Sequence, residues 1–544
     1  MSSEVLYPLS SPQHAVWLDQ SLAPGLPCCN IGAVVQLDGP LDPGRFEAAV
    51  EHVIRTNDVL RVVLEQGESD CLQRFPEGPG SSLQRLDFSH FDDAEPRAWA
   101  HLKQVFGTPF DLYGGRLWST QLVDVKAGRA LWLLRFHHLV ADGMSVSLFA
   151  NAVVDAYNRL MRGEPPGAEG EEASYRDFVA RDGEYFSSSR YAKDREFWFE
   201  RFAQLPEPLF DGAQKVGSDR PCGQVVWQLD RLSYQRLSEV AAAEGGSSTH
   251  FLMAVLAAYF SRVFDRSDEV VIGMPVHNRI GAVQRRTIGM FSSAIPVGIR
   301  VDPEQPFTRI LQDVAAELKR CYRHQRFPLT DIHRHLLSGV SDRRGLFDVS
   351  LSVEGFVGDL QFDDDVRSST QALHNGYERQ PLGIFVRDYE QKKPVYIEFN
   401  FDPDVLELEE VRNHVRRIER LTLAAIDAPG AQVLALPVMD DAERVLVTQT
   451  FNATRRADGD EALVHQLFER QAALGPEAVA LEFEGQRLGY AALNARANQL
   501  AHHLRELGVR PDDRVAICLE RGPELVVAIV AALKAGAAYV PLDP

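Results

Sequence analysis

The sequence predicts an α/β protein, with two successive α/β regions and then the opening of a further one. Three observations carry this. Strand-like and helix-like apolar patterns alternate from residue 1 to about 165, and again from about 175 to 435. The pattern breaks near 436–460, first at Pro437-Val438-Met439-Asp440-Asp441 and then at Phe451-Asn452-Ala453-Thr454-Arg455-Arg456. A fresh helix–strand–helix pattern starts at Leu463 and stops at Pro541-Leu542-Asp543-Pro544, too short to read as a finished domain. The 544 residues correspond to about three to four globular units. We place the regions at 1–170, 171–435, a linker at 436–460 and a last segment at 461–544.

In the first region, Ile31-Gly32-Ala33-Val34-Val35-Gln36-Leu37 reads as a strand. Pro43 to Arg55 reads as a helix with Phe46, Ala49, Val50, Val53 and Ile54 on one face. Ala130-Leu131-Trp132-Leu133-Leu134 is short, apolar and β-prone, the pattern of a buried strand. After Gly143, Val146, Phe149, Val153, Tyr157 and Leu160 recur at helical spacing, with Ser145 available as an N-cap. Gly163-Glu164-Pro165-Pro166-Gly167-Ala168-Glu169-Gly170-Glu171-Glu172 is polar, acidic and rich in proline and glycine, and reads as a surface crossover. The second region carries a strong helix around Phe251–Val263 and strands at Glu269–Val276 and Ala294–Val301. No internal repeat is detectable.

The stretch richest in chemistry is Phe136-His137-His138-Leu139-Val140-Ala141-Asp142-Gly143, where a strand hands over to a helix. Such an exit often faces a cleft. Imidazole suits the place because its proton equilibrium lies near neutral pH, so it can accept a proton and return it. The plainer reading is a hydrogen-bonded histidine pair bracing a turn. The chain holds its own control. His502-His503 recurs within Gln499-Leu500-Ala501-His502-His503-Leu504-Arg505-Glu506-Leu507, with no Asp-Gly after it and an amphipathic helical pattern around it. That second pair reads as structural or surface.

An apolar fraction of 45% and a charged fraction of 25% are those of a globular protein. The formal charge of −20 argues against nucleic acid or an anionic membrane as a partner. No apolar run reaches the length of a membrane span, and the N-terminus lacks a signal-peptide layout, so a cytoplasmic location is expected. The six cysteines show no zinc spacing, and no metal site is expected. Adjacent Cys28-Cys29 reads as a small apolar pair near a cleft rather than a redox device.

Several segments, in order over about 1–435, resemble the condensation domains of nonribosomal peptide synthetases. They are Leu9-Ser10-Ser11-Pro12-Gln13-His14-Ala15-Val16-Trp17-Leu18, then Arg55-Thr56-Asn57-Asp58-Val59-Leu60-Arg61, the stretch Phe136 to Ser145, and Tyr175-Arg176-Asp177-Phe178. Ile288-Gly289-Met290-Phe291-Ser292-Ser293, Arg323-His324-Gln325-Arg326-Phe327-Pro328 and Arg343-Arg344-Gly345-Leu346-Phe347-Asp348 follow. In the tail, Leu488-Gly489-Tyr490-Ala491-Ala492-Leu493-Asn494 and the run Leu533 to Asp543 resemble the first two motifs of an adenylation domain. That family's phosphate loop and C-terminal lysine are not within these residues, so the tail by itself is expected to activate no amino acid.

The resemblance implies two chloramphenicol-acetyltransferase-like lobes, arranged as a V-shaped pseudo-dimer, plus an incomplete α/β adenylation fragment. It implies that His138 stands midway along a tunnel, where the amine of a carrier-bound aminoacyl group attacks a donor thioester. It assigns His138 and Gly143 to catalysis and His137, Asp142 and Arg279 to support. Trp17, Met144, Ser145, Ser293 and Pro381 are assigned to the substrate tunnel. His138 is expected to act as a base or as a positioning group, and Gly143 as an oxyanion donor or a plain turn glycine. Asp142 is expected to anchor the loop through Arg279. Its partners would be a fatty acyl-CoA or acyl carrier protein, an aminoacyl-loaded peptidyl carrier and the downstream adenylation domain. The phosphopantetheine arm and coenzyme A would serve only as substrate carriers.

The branch expected is the starter, N-acylating type. Only eight residues precede the first motif, which suggests a donor arriving in trans. Asn375-Gly376-Tyr377-Glu378-Arg379-Gln380-Pro381-Leu382 also places Pro381 about where peptide-joining members carry an aspartate. An aryl-accepting siderophore type and an ordinary elongation domain are the alternatives. A non-enzymatic recruiting domain ranks below them, because His138 and Gly143 are intact. Cyclisation domains replace the histidines with aspartates, and plant-type acyltransferases carry an Asp-Phe-Gly-Trp-Gly segment absent here.

Overall fold

Val34 and Val35 are both fully buried, yet they point to opposite faces of one strand. That double burial explains the near-continuous apolar runs and sets the layering of the N-terminal sheet. The computed structural model describes residues 5–67, 70–77, 83–167, 174–211, 220–264, 269–337, 345–355, 360–363, 365–388, 393–455 and 462–544. The chain divides into two compact units, Met1–Asp441 and Ala442–Pro544.

The N-terminal sheet has five strands in the order Arg367–Ala372, Asn30–Asp38, Arg129–His137, Trp118–Lys126 and Gln84–Asp87. On one face Val35, Leu37, Trp132, Leu134 and Phe136 pack with Phe46, Val50 and Val53 of the helix Pro43–Thr56 and Phe149, Val153 and Tyr157 of the helix Gly143–Met161. On the other, Val34, Val123, Leu131 and Leu133 meet Ala98, Leu102 and Phe106 of the helix Ala94–Phe106. A small antiparallel sheet, Tyr7–Pro8, Cys71–Arg74 and Val63–Gln66, lies beside them in sequence.

The second sheet has six strands, ordered Ser293–Arg300, Glu269–Val276, Val349–Gly355, Leu382–Asp388, Val395–Phe401 and Gly223–Leu229. Its central helix, Ser248–Val263, buries every residue from Phe251 to Phe260. A helix apolar all round must be enclosed. The helices Arg231–Ala243, Phe307–Arg323 and Leu408–Asp427 pack around it in one core.

The sequential division at 170 and 171 needs correction. Arg367–Ala372, from the region expected to form the second lobe alone, pairs antiparallel with Asn30–Asp38 and supplies the edge strand of the first sheet. Alternate strand residues satisfy backbone pairing wherever an edge is open, so sequence order does not decide sheet membership. The expected linker at 436–460 is also not irregular throughout, since Asp441–Val445 is a short helix and Leu446–Thr450 a π turn. Residues 168–172 of the acidic crossover, Arg343-Arg344 of one motif, and 456–460 lie outside the described residues.

The second unit holds the helix Val464–Leu474, the hairpin Val479–Phe483 with Gln486–Gly489, and the helix Tyr490–Glu506. It ends in a parallel pair, Arg514–Cys518 with Ala538–Leu542, joined through the helix Pro523–Lys534. His502 and His503 are exposed on Tyr490–Glu506. No helix among the described residues is long and apolar enough to cross a membrane.

Candidate active site

The strand Arg129–His137 ends at His137, which pairs with Asn30. The chain then turns through 138–142 and enters the helix Gly143–Met161. Asp142 caps that helix, its Oδ1 accepting from the Ser145 N–H at 2.8 Å. Ser145 had been the expected cap. The correction is geometric: Asp142 stands just ahead of the first turn, while Ser145 is already its third residue.

The two histidines face different surroundings. His137 is buried, its Nδ1 accepting from the Leu139 N–H at 3.1 Å. Its proton therefore sits on Nε2, which donates to Gln20 Oε1 at 3.0 Å. Burial, then His138 and Arg135, push its imidazole down to about 3. His138 is half-buried and hangs by its N–H from the Cys29 carbonyl at 2.8 Å. Its Nδ1 lies 3.2 Å from Met290 Sδ. A thioether can only accept, so Nδ1 carries the proton in this contact and Nε2 keeps a lone pair. Burial lowers the His138 imidazole from its ordinary value, opposed by Asp142, by backbone hydrogen bonds at His138 and Ala141, and by Glu354.

Beneath the loop lies a buried ion pair. Arg279 Nη2 donates to Asp142 Oδ1 at 2.8 Å, with the Arg279 and Asp142 side chains 0% and 2% exposed. The same Nη2 reaches Ser145 Oγ at 2.7 Å, and Nη1 donates to the carbonyls of Gln284 and Thr287 at 2.6 and 2.5 Å. The guanidinium stacks on Phe291, 4.0 Å from the ring centre. Asp142 Oδ2 takes the Phe291 N–H at 3.2 Å. Arg279 reaches this place because Asn278 adopts a left-handed φ of 47°, which asparagine tolerates.

The 288–291 segment is clamped from its other side. Ser145 Oγ accepts from the Gly289 N–H at 3.0 Å. Tyr175 donates its hydroxyl to the Met290 carbonyl at 2.6 Å. A side chain at Gly289 would start 2.1 Å from the Tyr175 ring, so only glycine fits there. Gln13 is fully buried, its amide donating to the Leu139 carbonyl at 3.1 Å.

Ser145 is correspondingly no tunnel-lining residue. It is fully buried, and its hydroxyl has Asp142 Oδ1 and the Gly289 carbonyl each at 2.7 Å. Met144 is 39% exposed. Trp17 donates its indole N–H to the Tyr113 hydroxyl at 2.9 Å, and Ser293 opens a strand opposite Val276. Pro381 is buried, its carbonyl accepting from the Asp402 N–H at 3.1 Å. Trp17, Ser293 and Pro381 are held by different partners. Gly143 is exposed, and a Cβ there would meet nothing within 4 Å. The fold itself therefore does not demand glycine at this position, which weakens the turn-glycine reading and leaves open space above the helix N-terminus.

Sequence reasoning missed Gln20 and the side-chain roles of Gln13, Met290 and Tyr175. A signal was present. Gln13, Val16 and Gln20 share one helical stripe of Ser11–Leu22, and all three are buried. Amides on a core-facing stripe call for specific partners.

A family model described as the condensation domain matches residues 3–447, and one described as the AMP-binding enzyme matches 468–544. The chain belongs to the condensation-domain family, whose reaction is amide bond formation by acyl transfer, and it runs on into the start of an AMP-binding segment. The dimodular nonribosomal peptide synthase of Bacillus subtilis (strain 168) is 28% identical over 543 residues, covering 100% of this chain and 23% of the relative. Tyrocidine synthase 3 of Brevibacillus parabrevis is 28% identical over 555 residues, 100% of this chain and 8% of its own. The chain thus spans less than a quarter of the length of these relatives. Among solved structures, the starter condensation domain of rhizomide synthetase RzmA in complex with C8-CoA aligns with a TM-score of 0.71 at 27% identity, over 80% of this chain and 98% of its own. The first condensation domain of the calcium-dependent antibiotic synthetase aligns with a TM-score of 0.69 at 24% identity, over 81% and 100%, a likeness of fold. The substrates of such domains ride on phosphopantetheine carriers. Among the described residues no cluster of three or more potential metal ligands occurs.

Two outcomes test this geometry. Asp142→Ala strands a buried guanidinium and should cost about 3–5 kcal/mol, read as a lower melting temperature and poor soluble yield. An unchanged melt would mean that the pair contributes little. His137 is neutral when folded but takes up a proton below about pH 6.5 when unfolded. Its folded value is depressed, so stability present above pH 6.5 is lost as pH falls toward about 3. His137→Gln should remove about one proton's slope, near 1.4 kcal/mol per pH unit, from denaturation measured across that range. Identical slopes would show that His137 is charged in the fold.

Proposed function

We propose that this chain is the starter condensation domain of a lipopeptide-forming nonribosomal peptide synthetase. It joins a fatty acyl thioester, on coenzyme A or an acyl carrier, to the amino group of the first carrier-bound aminoacyl thioester. The observation that carries the reading is His138, half-buried at a strand exit, neutral, with its Nε2 lone pair unengaged by Met290. Likeness to a starter domain bound to C8-CoA, over nearly all of that domain's length, supports the branch.

In this reading the aminoacyl ammonium first loses a proton to solvent, since an α-amino group has a pKa near 8. The amine nitrogen attacks the thioester carbonyl carbon, a C–N bond forms and the C–S bond breaks. His138 Nε2 takes the second proton from the nitrogen and returns it to the departing sulfur. Negative charge gathering on the carbonyl oxygen lies toward the N-terminus of the helix Gly143–Met161, whose first N–H groups carry partial positive charge. Gly143 leaves the room for that approach. Asp142 and Arg279 do no proton work and hold the loop in place. An apolar donor channel would select chain length, each buried methylene contributing about 0.8 kcal/mol.

His138→Ala should lower turnover by two or more orders of magnitude without moving the melting temperature, because its side chain is not part of the buried clamp. A variant of undiminished rate would overturn the proton role. The substrate class is tested by offering acyl-CoAs of graded length, aryl carriers and peptidyl carriers with a loaded aminoacyl carrier, and following N-acylation by mass. Medium or long acyl donors should be used. Turnover confined to aryl or peptidyl carriers would place the chain in a siderophore or elongation branch, and carrier binding without turnover would make it a recruiter.

A further inference from the structure

In sequence Cys28 and Cys29 read as small apolar filler. They do pack at the margin of the apolar core of the first sheet, but Gln20 and Arg379 stand against their sulfurs. They occupy the turn just before the strand Asn30–Asp38, with Sγ atoms 3.9 Å apart. Cys29 is 1% exposed, whereas Cys28 is only half-buried and can be reached by a small oxidant. Arg379 Nη2 lies 2.7 Å from Cys29 Sγ, and the same guanidinium pairs with Asp19. The hydrogen bond between them draws the Cys28 thiol down, and the same bond, then burial and the neighbouring Cys28 charge, hold the Cys29 thiol up.

The pair is wired to the histidines. The Cys29 carbonyl receives the His138 N–H at 2.8 Å, and the Cys28 carbonyl the Asn375 amide at 2.9 Å. Cys28 Sγ also reaches Gln20 Oε1 at 3.8 Å, the oxygen that accepts from His137 Nε2. We propose that Cys28 and Cys29 form a peroxide-sensitive dithiol on the backbone that suspends His138, closing to a disulfide under oxidation and reopening on reduction.

The chemistry balances with hydrogen peroxide as oxidant. The Cys28 thiolate attacks one peroxide oxygen, an S–O bond forms, the O–O bond breaks, and the released hydroxide takes a proton to give water. Cys29 sulfur, losing its proton, then attacks the Cys28 sulfur. The S–S bond forms, the S–O bond breaks and a second water leaves. Two thiols are oxidised by two electrons and peroxide is reduced to two waters. Closure brings the sulfurs from 3.9 Å to about 2.05 Å; it twists the peptide whose carbonyl, that of Cys28, holds the Asn375 amide, and turns the Cys29 backbone from which the next carbonyl holds the His138 N–H. A bond between neighbours is strained, and strained disulfides are readily reduced.

The test treats the full chain with hydrogen peroxide, alkylates the remaining thiols and maps the peptide containing Cys28 and Cys29 by mass. That peptide should lose two hydrogens and resist alkylation, N-acylation should fall at least tenfold, and dithiothreitol should restore both. Cys28→Ser should keep its rate under the same treatment. Two alkylatable thiols in the treated peptide, added oxygen in place of lost hydrogen, or equal inactivation of Cys28→Ser would overturn the proposal. The rate arm rests on the acyl-transfer reading, but the mass arm does not. Should the reduced chain turn over no donor, amide exchange of His138 replaces rate as the readout. Faster exchange on oxidation supports the switch, and unchanged exchange in the oxidised chain refutes it.

Discussion

Everything around the His138 loop leans on the buried contact between Asp142 and Arg279. An ion pair this enclosed is unfavourable unless its remaining donors and lone pairs are occupied. Here Asp142 takes bonds from Ser145, Arg279 and Phe291, and Arg279 also serves three carbonyls and an aromatic face, leaving only its Nε without a partner among the described residues. The pair therefore does more than neutralise charge. It joins the helix after the first sheet to the loop after the strand Glu269–Val276, so the loop bearing the histidines and the loop bearing Met290 are positioned by one set of bonds.

That arrangement explains how two adjacent histidines come to differ. Successive residues of an extended chain point to opposite sides, so His137 turns into the protein and His138 away from it. The inner ring is fixed in one tautomer by Leu139 and Gln20. The outer ring is touched at Nδ1 by a sulfur that interacts weakly, and so stays free to exchange a proton at Nε2. One ring is held for shape and the other is left available for chemistry.

Much of this was legible in the residues, and the failures have physical causes. The strand Glu269–Val276 and the helix around Phe251–Val263 stand out because long apolar runs bounded by polar residues have few alternatives. The family emerged because short motifs kept their order along the chain, and the pairing of Asp142 with Arg279 followed from that resemblance, whose arginine stands after a strand at this place. Ser145 was misread because cap preference alone cannot tell Asp142 from a serine three residues on. The origin of the strand Arg367–Ala372 was missed because β-pairing is nonlocal, and its sequence Arg-Ser-Ser-Thr-Gln-Ala carries no apolar alternation. Gln20 and Met290 escaped notice because their significance lies in partners far along the chain.

The borrowed edge strand bears on how such domains can be recombined. Asn30–Asp38 is covered on one side by Arg129–His137 and on the other only by Arg367–Ala372. A chimera that exchanges the first half of the domain alone asks a foreign segment to match that register, residue against residue. If it fails, a long apolar strand shows an open row of amides and carbonyls, a template for aggregation. The natural cut for module exchange is therefore outside the whole span, beyond the residues 3–447 that match the family, and not at the crossover between the two sheets.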